Sequence, residues 1–131
     1  MRGYTKLNLA RDVEDQAPKF GLAPDVEARF AHDDLGCEVT GVSYQRLAPN
    51  ARMPFGHSHR AQEEIYVVVS GGGRAKLGDE IVELGKLDAI RIAPATMRAL
   101  EAGSDGLAFV VFGAPRGERN DAEMTTDWWS D

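Results

Sequence analysis

The segment GHSHRAQEEIYVVVSGGG, at residues 56–73, constrains the fold of this chain more than any other part of the sequence. His57 and His59 are separated by one residue, and alternate residues of an extended strand point to the same face. The run from Ile65 to Val69 is short and rich in β-branched and aromatic residues, which favours a strand over a helix. The segment is therefore predicted to form two strands, the first of which presents both imidazoles on one face.

The same segment contains a candidate metal site. Glu64 opens the second strand, and it completes a set with His57 and His59 if the two strands lie side by side. Two imidazoles and one carboxylate suit zinc, iron, manganese, nickel or copper. Three protein ligands leave coordination positions open for water or a substrate. The alternative is a metal-free pocket in which the histidines are hydrogen-bonded.

These residues resemble the first motif of the cupins, which has two histidines one residue apart, then a glutamate and a glycine at set spacings. Glu63 fits a looser spacing of the motif, but the glycine position would then fall on Ser70. The resemblance extends from residue 35 to residue 115, and it implies an all-β fold, a jelly-roll β-barrel (double-stranded β-helix) with a site inside its mouth. The residues that match the motif are His57, His59, Glu64 and Gly71.

The second cupin motif is only partly present. The strand pattern at residues 89–92 and the turn at Pro94 fit, whereas Leu87 and Ala102 replace the glycine and the asparagine of the motif. Arg98 stands where the family has its fourth metal ligand, a histidine. A guanidinium stays protonated and has no lone pair to give to a metal. The resemblance therefore implies the fold, with at most three protein ligands for a metal.

Two roles for Arg98 follow from this replacement. In the first, Arg98 lies beside a metal held by three ligands and clamps an anionic group of a small substrate. In the second, Arg98 takes the place of the cation and pairs with Glu64, because an unpaired buried carboxylate is costly. The first role predicts a metal-dependent protein that binds or acts on a small anionic molecule. The second predicts a metal-free barrel that binds or senses a small molecule without catalysis.

Three further side chains are candidates for ligand binding. Tyr66 lies two residues after Glu64 and is expected to share its inward face, where either its hydroxyl hydrogen-bonds a ligand or acts as an acid, or its ring simply fills the barrel. Tyr44 and Arg46 share a face of an earlier strand and are expected to line the same cavity. If the chain is an enzyme, a metal would serve an oxygenase, isomerase or decarboxylase reaction, and the residues do not select among these.

The chain length of 131 residues suits a single domain. We expect a barrel core at residues 35–115, an N-terminal arm at 1–34 and a C-terminal tail at 116–131. Gly78 and Asp79 separate two strand-like runs and predict a tight hairpin, and a turn is predicted at residues 103–106 before a last strand at 107–112. The pair Trp128 and Trp129 is expected to anchor the tail to the barrel or to a second subunit.

Charge and composition exclude several other classes of protein. The net charge of −6 argues against binding of nucleic acid through a basic surface. No apolar run reaches the length of a signal peptide core or a membrane span, so we expect a cytoplasmic protein without a membrane partner. Cys37 is the single cysteine, which leaves no partner for a disulfide within the chain. His32 is expected to be a solvated loop histidine, and the cupin resemblance implies a homodimer.

Overall fold

The fold is known from a computed structural model that describes residues 2–116 and 121–129. Within these residues eight strands form one curled antiparallel sheet, preceded by a 3₁₀ turn (Ala17–Phe20) and interrupted by one helical turn, α1 (His32–Leu35). The predicted all-β jelly-roll barrel is confirmed. None of the described helices is long and apolar enough to span a membrane. The strands are β1 (Val26–Phe30), β2 (Gly41–Leu47), β3 (Phe55–His59), β4 (Glu63–Leu77), β5 (Glu80–Leu84), β6 (Ala89–Ile92), β7 (Arg98–Ala114) and β8 (Ala122–Thr126).

The hairpin between β4 and β5 has the turn that the sequence predicts. Leu77 and Glu80 face each other across Gly78 and Asp79. Gly78 has φ of +60°, a left-handed conformation that glycine adopts without steric cost. A two-residue turn of this kind matches the twist of the two strands, so the register of the hairpin is set locally.

The predicted turn at residues 103–106 is wrong, because β7 runs unbroken from Arg98 to Ala114 and pairs with β4 along most of its length. The glycines of the two strands allow the backbones of β4 and β7 to approach each other closely, and they do not reverse the chain. A Cβ atom on Gly71 would lie 2.1 Å from the carbonyl oxygen of Gly106, and one on Gly73 would lie 2.0 Å from that of Glu101. The register of the pair shifts at these points, which bends both strands around the barrel.

The C-terminal tail adds a strand that the sequence did not predict. β8 pairs with β3 along its whole length, from Phe55 opposite Thr126 to His59 opposite Ala122. The two tryptophans that follow anchor the tail to the barrel, as expected, since Trp129 donates a hydrogen bond of 3.0 Å to the carbonyl of Met53. Contact with a second subunit stays a prediction. Residues 1, 117–120, 130 and 131 of the predicted arm and tail lie outside the described residues.

A charged cluster supports this anchor. The carboxylate of Glu101 accepts hydrogen bonds from Arg52 Nε at 2.7 Å and from Arg74 Nε at 2.6 Å. Both guanidiniums lie over the ring of Trp129, at 4.3 and 5.6 Å from its centroid. Burial raises the pKa of Glu101, but the hydrogen bonds from Arg74 and Arg52 outweigh this effect and hold the pKa below its usual value.

We predict that Glu101→Gln lowers the free energy of unfolding by about 1 kcal/mol at pH 7, in the range measured for partly exposed ion pairs. Because the pKa of Glu101 is lower in the folded state than in the unfolded state, this contribution is present above the unfolded pKa, near ~4.3, and is lost as the pH falls through the folded pKa. Urea denaturation at pH 7, 5 and 3 measures the difference between wild type and variant.

The control is Glu83→Gln, which removes an exposed carboxylate from β5 and should leave stability unchanged at all three pH values. A difference between wild type and Glu101→Gln that is as large at pH 3 as at pH 7 would contradict the proposed role of the charge.

Candidate functional site

The three predicted metal ligands come from two strands that do not pair with each other. β3 carries His57 and His59, and β4 carries Glu64 near its first residue. The side-by-side pairing on which this ligand set was conditional is not what brings the residues together, since β3 pairs with β8 and, through His57 opposite Arg98, with the start of β7. Glu64 pairs with Gly113 near the other end of β7. The long, curved β7 therefore brings the two strands to the same interior point.

The structure brings His57, His59 and Glu64 together, as predicted. His57 Nε2 lies 3.8 Å and His59 Nε2 lies 3.3 Å from Glu64 Oε1. The two imidazole rings meet edge to face, with centroids 5.1 Å apart. One ligand atom from each of the three residues lies within 4.8 Å of the others, a cluster that could hold a metal ion.

Asp121 belongs to this site, and sequence reasoning missed it. Its Oδ2 atom lies 3.0 Å from Nδ1 of His59, and its Oδ1 accepts a hydrogen bond of 2.9 Å from the backbone N–H of Ala61. With Nδ1 hydrogen-bonded to a carboxylate, the other ring nitrogen points to the cluster. Within the described part of the chain, His59 Nε2 is buried and makes no hydrogen bond, although it lies within ion-pair distance of Glu64. No local motif marks Asp121, because only the pairing of β8 with β3 places it beside His59.

The electrostatic environment keeps the carboxylates of the site charged. Burial raises the pKa of Glu64, but the imidazoles of His57 and His59 outweigh burial and hold this pKa far below its usual range. Burial also raises the pKa of Asp121, and hydrogen bonds from Ala61 and His59 lower it further than burial raises it.

The pKa values of His59 and Tyr66 are raised, in contrast to those of the two carboxylates. Burial lowers the pKa of His59, yet its interactions with Glu64 and Asp121 outweigh burial and raise the pKa above its ordinary value. A metal at His59 would compete with a proton for Nε2. Burial raises the pKa of Tyr66, and the neighbouring charge of Glu64 raises it further, so the hydroxyl stays protonated. It donates to Glu64 Oε1 over 3.3 Å.

Arg98 is enclosed by protein, with no exposed surface. Its Nη1 atom donates to Glu64 Oε1 over 2.5 Å, while Nε donates to the carbonyl of Thr96 and Nη2 to the carbonyl of Ala93. This placement corrects the expectation that Arg98 clamps an anionic substrate, because its donors are engaged inside the protein and it does not line the cavity. The guanidinium instead forms the ion pair with Glu64 that the second role predicts.

A cavity of about 720 Å³ opens beside the cluster. His57, His59, Glu64 and Tyr66 line one part of it, and the ring of Tyr66 stacks on Phe109 with centroids 5.7 Å apart. Most of the remaining wall is apolar, and it includes residues from the 3₁₀ turn and from β1 and β2.

Two expectations about the cavity lining are corrected by the structure. On β2, Val42, Ser43 and Gln45 line the cavity, and Tyr44 and Arg46 do not. Tyr44 instead lies beside the N-terminal arm, and Arg46 forms an exposed ion pair with Glu27. Alternation along the strand directs Ser43 and Gln45 to the face opposite Tyr44 and Arg46, and Val42 is the exception that reaches the cavity from the face of Tyr44. His32, expected in solvent, lines the cavity and is half-buried.

Comparison with known proteins connects this geometry to a family. No protein-family model matches the chain, and neither does any curated protein. Among solved structures, a cupin protein from Bacteroides fragilis is 30% identical, with a TM-score of 0.72 over 100% of this chain and 99% of that one. Oxalate decarboxylase from Bacillus subtilis is 20% identical, with a TM-score of 0.76 over 97% of this chain but 34% of its own. A variant of Streptomyces PAC13 with uridine is 18% identical, with a TM-score of 0.72 over 92% and 89% of the two chains.

The two more distant structures show the fold alone. The Bacteroides fragilis protein matches over the whole length of both chains, and the histidine and glutamate residues of the first motif lie together in the barrel as the motif implies. The chain therefore belongs to the cupin superfamily.

Proposed function

We propose that this cupin holds a divalent metal ion through His57, His59 and Glu64 and binds a small molecule in the adjoining cavity. The observation that carries the proposal is His59 Nε2, which is buried and makes no hydrogen bond to any of the described residues, although it lies 3.3 Å from the Glu64 carboxylate. A buried polar atom without a hydrogen bond is costly, and a metal ion bound by both groups would satisfy it. A metal ion uses the lone pair that an Nδ1-bonded imidazole presents at Nε2.

The donor set fits a first-row divalent metal. Imidazole and carboxylate ligands accept zinc, iron, manganese, nickel and copper, and they do not choose among them. With three protein ligands, the ion would offer open positions to a molecule in the cavity and would supply Lewis acidity there. Asp121 holds the His59 ring in place, and Tyr66 donates a hydrogen bond to the carboxylate.

Arg98 has a positioning role in this proposal. It donates to Glu64 Oε1 and so fixes the orientation of the carboxylate, although Arg98 itself does not line the cavity. Its permanent charge also opposes a second cation nearby, because like charges repel strongly where water is excluded. We therefore expect a metal affinity below that of a cupin site with four ligands.

A second candidate function is a metal-free barrel that binds or senses a small molecule. It is favoured by the 2.5 Å contact between Arg98 Nη1 and Glu64 Oε1, together with the complete burial of Arg98. In this case the guanidinium already neutralises the buried carboxylate, and the cavity acts without an ion.

Metal content separates the two candidates. We expect untagged protein, purified without chelators, to contain close to one divalent ion per chain by inductively coupled plasma mass spectrometry. His57→Ala should lose most of this metal, because only two ligands remain. His32→Ala is the matched control, since it removes a cavity-lining histidine outside the cluster and should retain the metal. Little metal in the wild type, with a clear gain in Arg98→His, would rule out the metal-dependent function.

Asp121→Asn tests the support of His59. We predict that the variant binds the metal about 10- to 100-fold more weakly, the usual effect of changing the hydrogen-bond partner of a histidine ligand. Asparagine keeps a carbonyl oxygen for the N–H of Ala61 but removes the negative charge beside Nδ1. Competition with a chromophoric chelator measures the affinity, and Glu123→Gln on the adjoining strand β8 is the control. Equal affinity in wild type and Asp121→Asn would show that Asp121 serves only the neighbouring loop.

A further inference from the structure

The wall of the cavity away from His57 and His59 is built mainly from hydrocarbon side chains. The 3₁₀ turn and β1 contribute part of this wall, and the barrel core contributes the rest. It is favourable for a ligand to cover such a surface, and the contribution to the binding free energy is proportional to the apolar area removed from water. Side chains that form this wall include Leu22, Val26, Phe30, Met53, Phe55 and Phe109.

The described lining residues offer little to bind an anionic group. Arg98 lies outside the lining and is paired with Glu64. Arg116 is the one arginine or lysine among the described lining residues, and its Nη1 atom donates to Asp33 Oδ1 at 3.2 Å and to the carbonyl of Cys37 at 3.0 Å. The carboxylates of Glu64 and Asp121, both in the lining, repel a second anion.

The uncharged polar groups of the wall are few. Gln45 Nε2 donates to the hydroxyl oxygen of Ser43 over 3.0 Å, so these two side chains partly satisfy each other. Gln16, His32 and Gln62 add further polar side chains to the described lining. His57, Glu64 and Asp121 meet at the histidine end, so the cavity has one strongly polar end and a mainly apolar body.

The size of the cavity sets the size of the ligand. A volume of about 720 Å³ lies within the usual range of sites for drug-sized molecules, roughly 300 to 1,000 Å³. A small dicarboxylate would leave most of the apolar wall in contact with water.

We infer that the cavity takes an uncharged, mainly hydrocarbon or aromatic molecule, with one polar group directed at His57, His59 and Glu64. This inference rests on the proposed function only in using the same cavity as the ligand site.

Binding of N-phenyl-1-naphthylamine, an uncharged fluorescent molecule, tests the inference. We expect one dye per chain, with enhanced fluorescence, and displacement by 1-decanol. Malonate, a small dianion, and uridine, a polar nucleoside, should not displace the dye at the same concentrations. Absence of dye binding, or displacement by malonate or uridine as effective as that by 1-decanol, would overturn the inference.

A pair of variants locates the bound dye. Ala28→Phe fills the cavity from β1 and should weaken dye binding by about tenfold or more, since the added ring takes the space of the ligand. Ala89→Phe adds the same ring to an exposed position of β6 that does not line the cavity, and it should bind the dye like the wild type. Equal dye affinity in both variants would place the dye elsewhere and overturn the inference. Thermal unfolding of each variant checks its fold, and displacement from the wild type decides the question if Ala28→Phe does not fold.

The same titration distinguishes this inference from the proposed metal function. The dye is titrated into wild-type protein as purified and after removal of metal by a chelator. If the protein binds the dye but never contains metal, the proposed metal function is contradicted and the inferred ligand class is not. A stoichiometric metal content without any dye binding would contradict the ligand class alone.

Discussion

The buried ion pair between Arg98 and Glu64 is the interaction on which the arrangement of the site depends. Arg98 opens β7 and is fully enclosed, and Glu64 lies near the start of β4. The remaining donors of the guanidinium bind carbonyl oxygens of the turn at residues 93–96, so one side chain joins this turn to both strands. A buried charge without its partner is strongly destabilising, which ties the local fold to the identity of both residues.

The pair also determines what Glu64 can offer to the interior. Its Oε1 atom accepts hydrogen bonds from Arg98 and Tyr66 and lies within 4 Å of both imidazoles. A carboxylate held from several directions has little rotational freedom, and a fixed ligand loses less entropy when it binds an ion. Arg98 thus orients Glu64, one of the three residues that could hold a metal ion.

The parts of the structure that the sequence predicts are those with local causes. The alternation of His57 and His59 and the Gly78-Asp79 turn depend on neighbouring residues, and β3 and the β4–β5 hairpin form as expected. The glycines at 103 and 106 suggested a turn, but their role is set by a distant strand that passes close to them. Asp121 reaches His59 across 62 positions of sequence, and the burial of Arg98 depends on surroundings that no local pattern contains.

The pairing of β8 with β3 has a consequence for how the protein is made. β8 follows every other described strand, so it leaves the ribosome after the rest of the barrel has been synthesised. Until then the edge of β3 carries unpaired backbone groups, and His59 has no carboxylate at Nδ1. Among the described strands β8 is therefore synthesised last, and Asp121, which directly precedes β8, reaches His59 only when this strand pairs with β3.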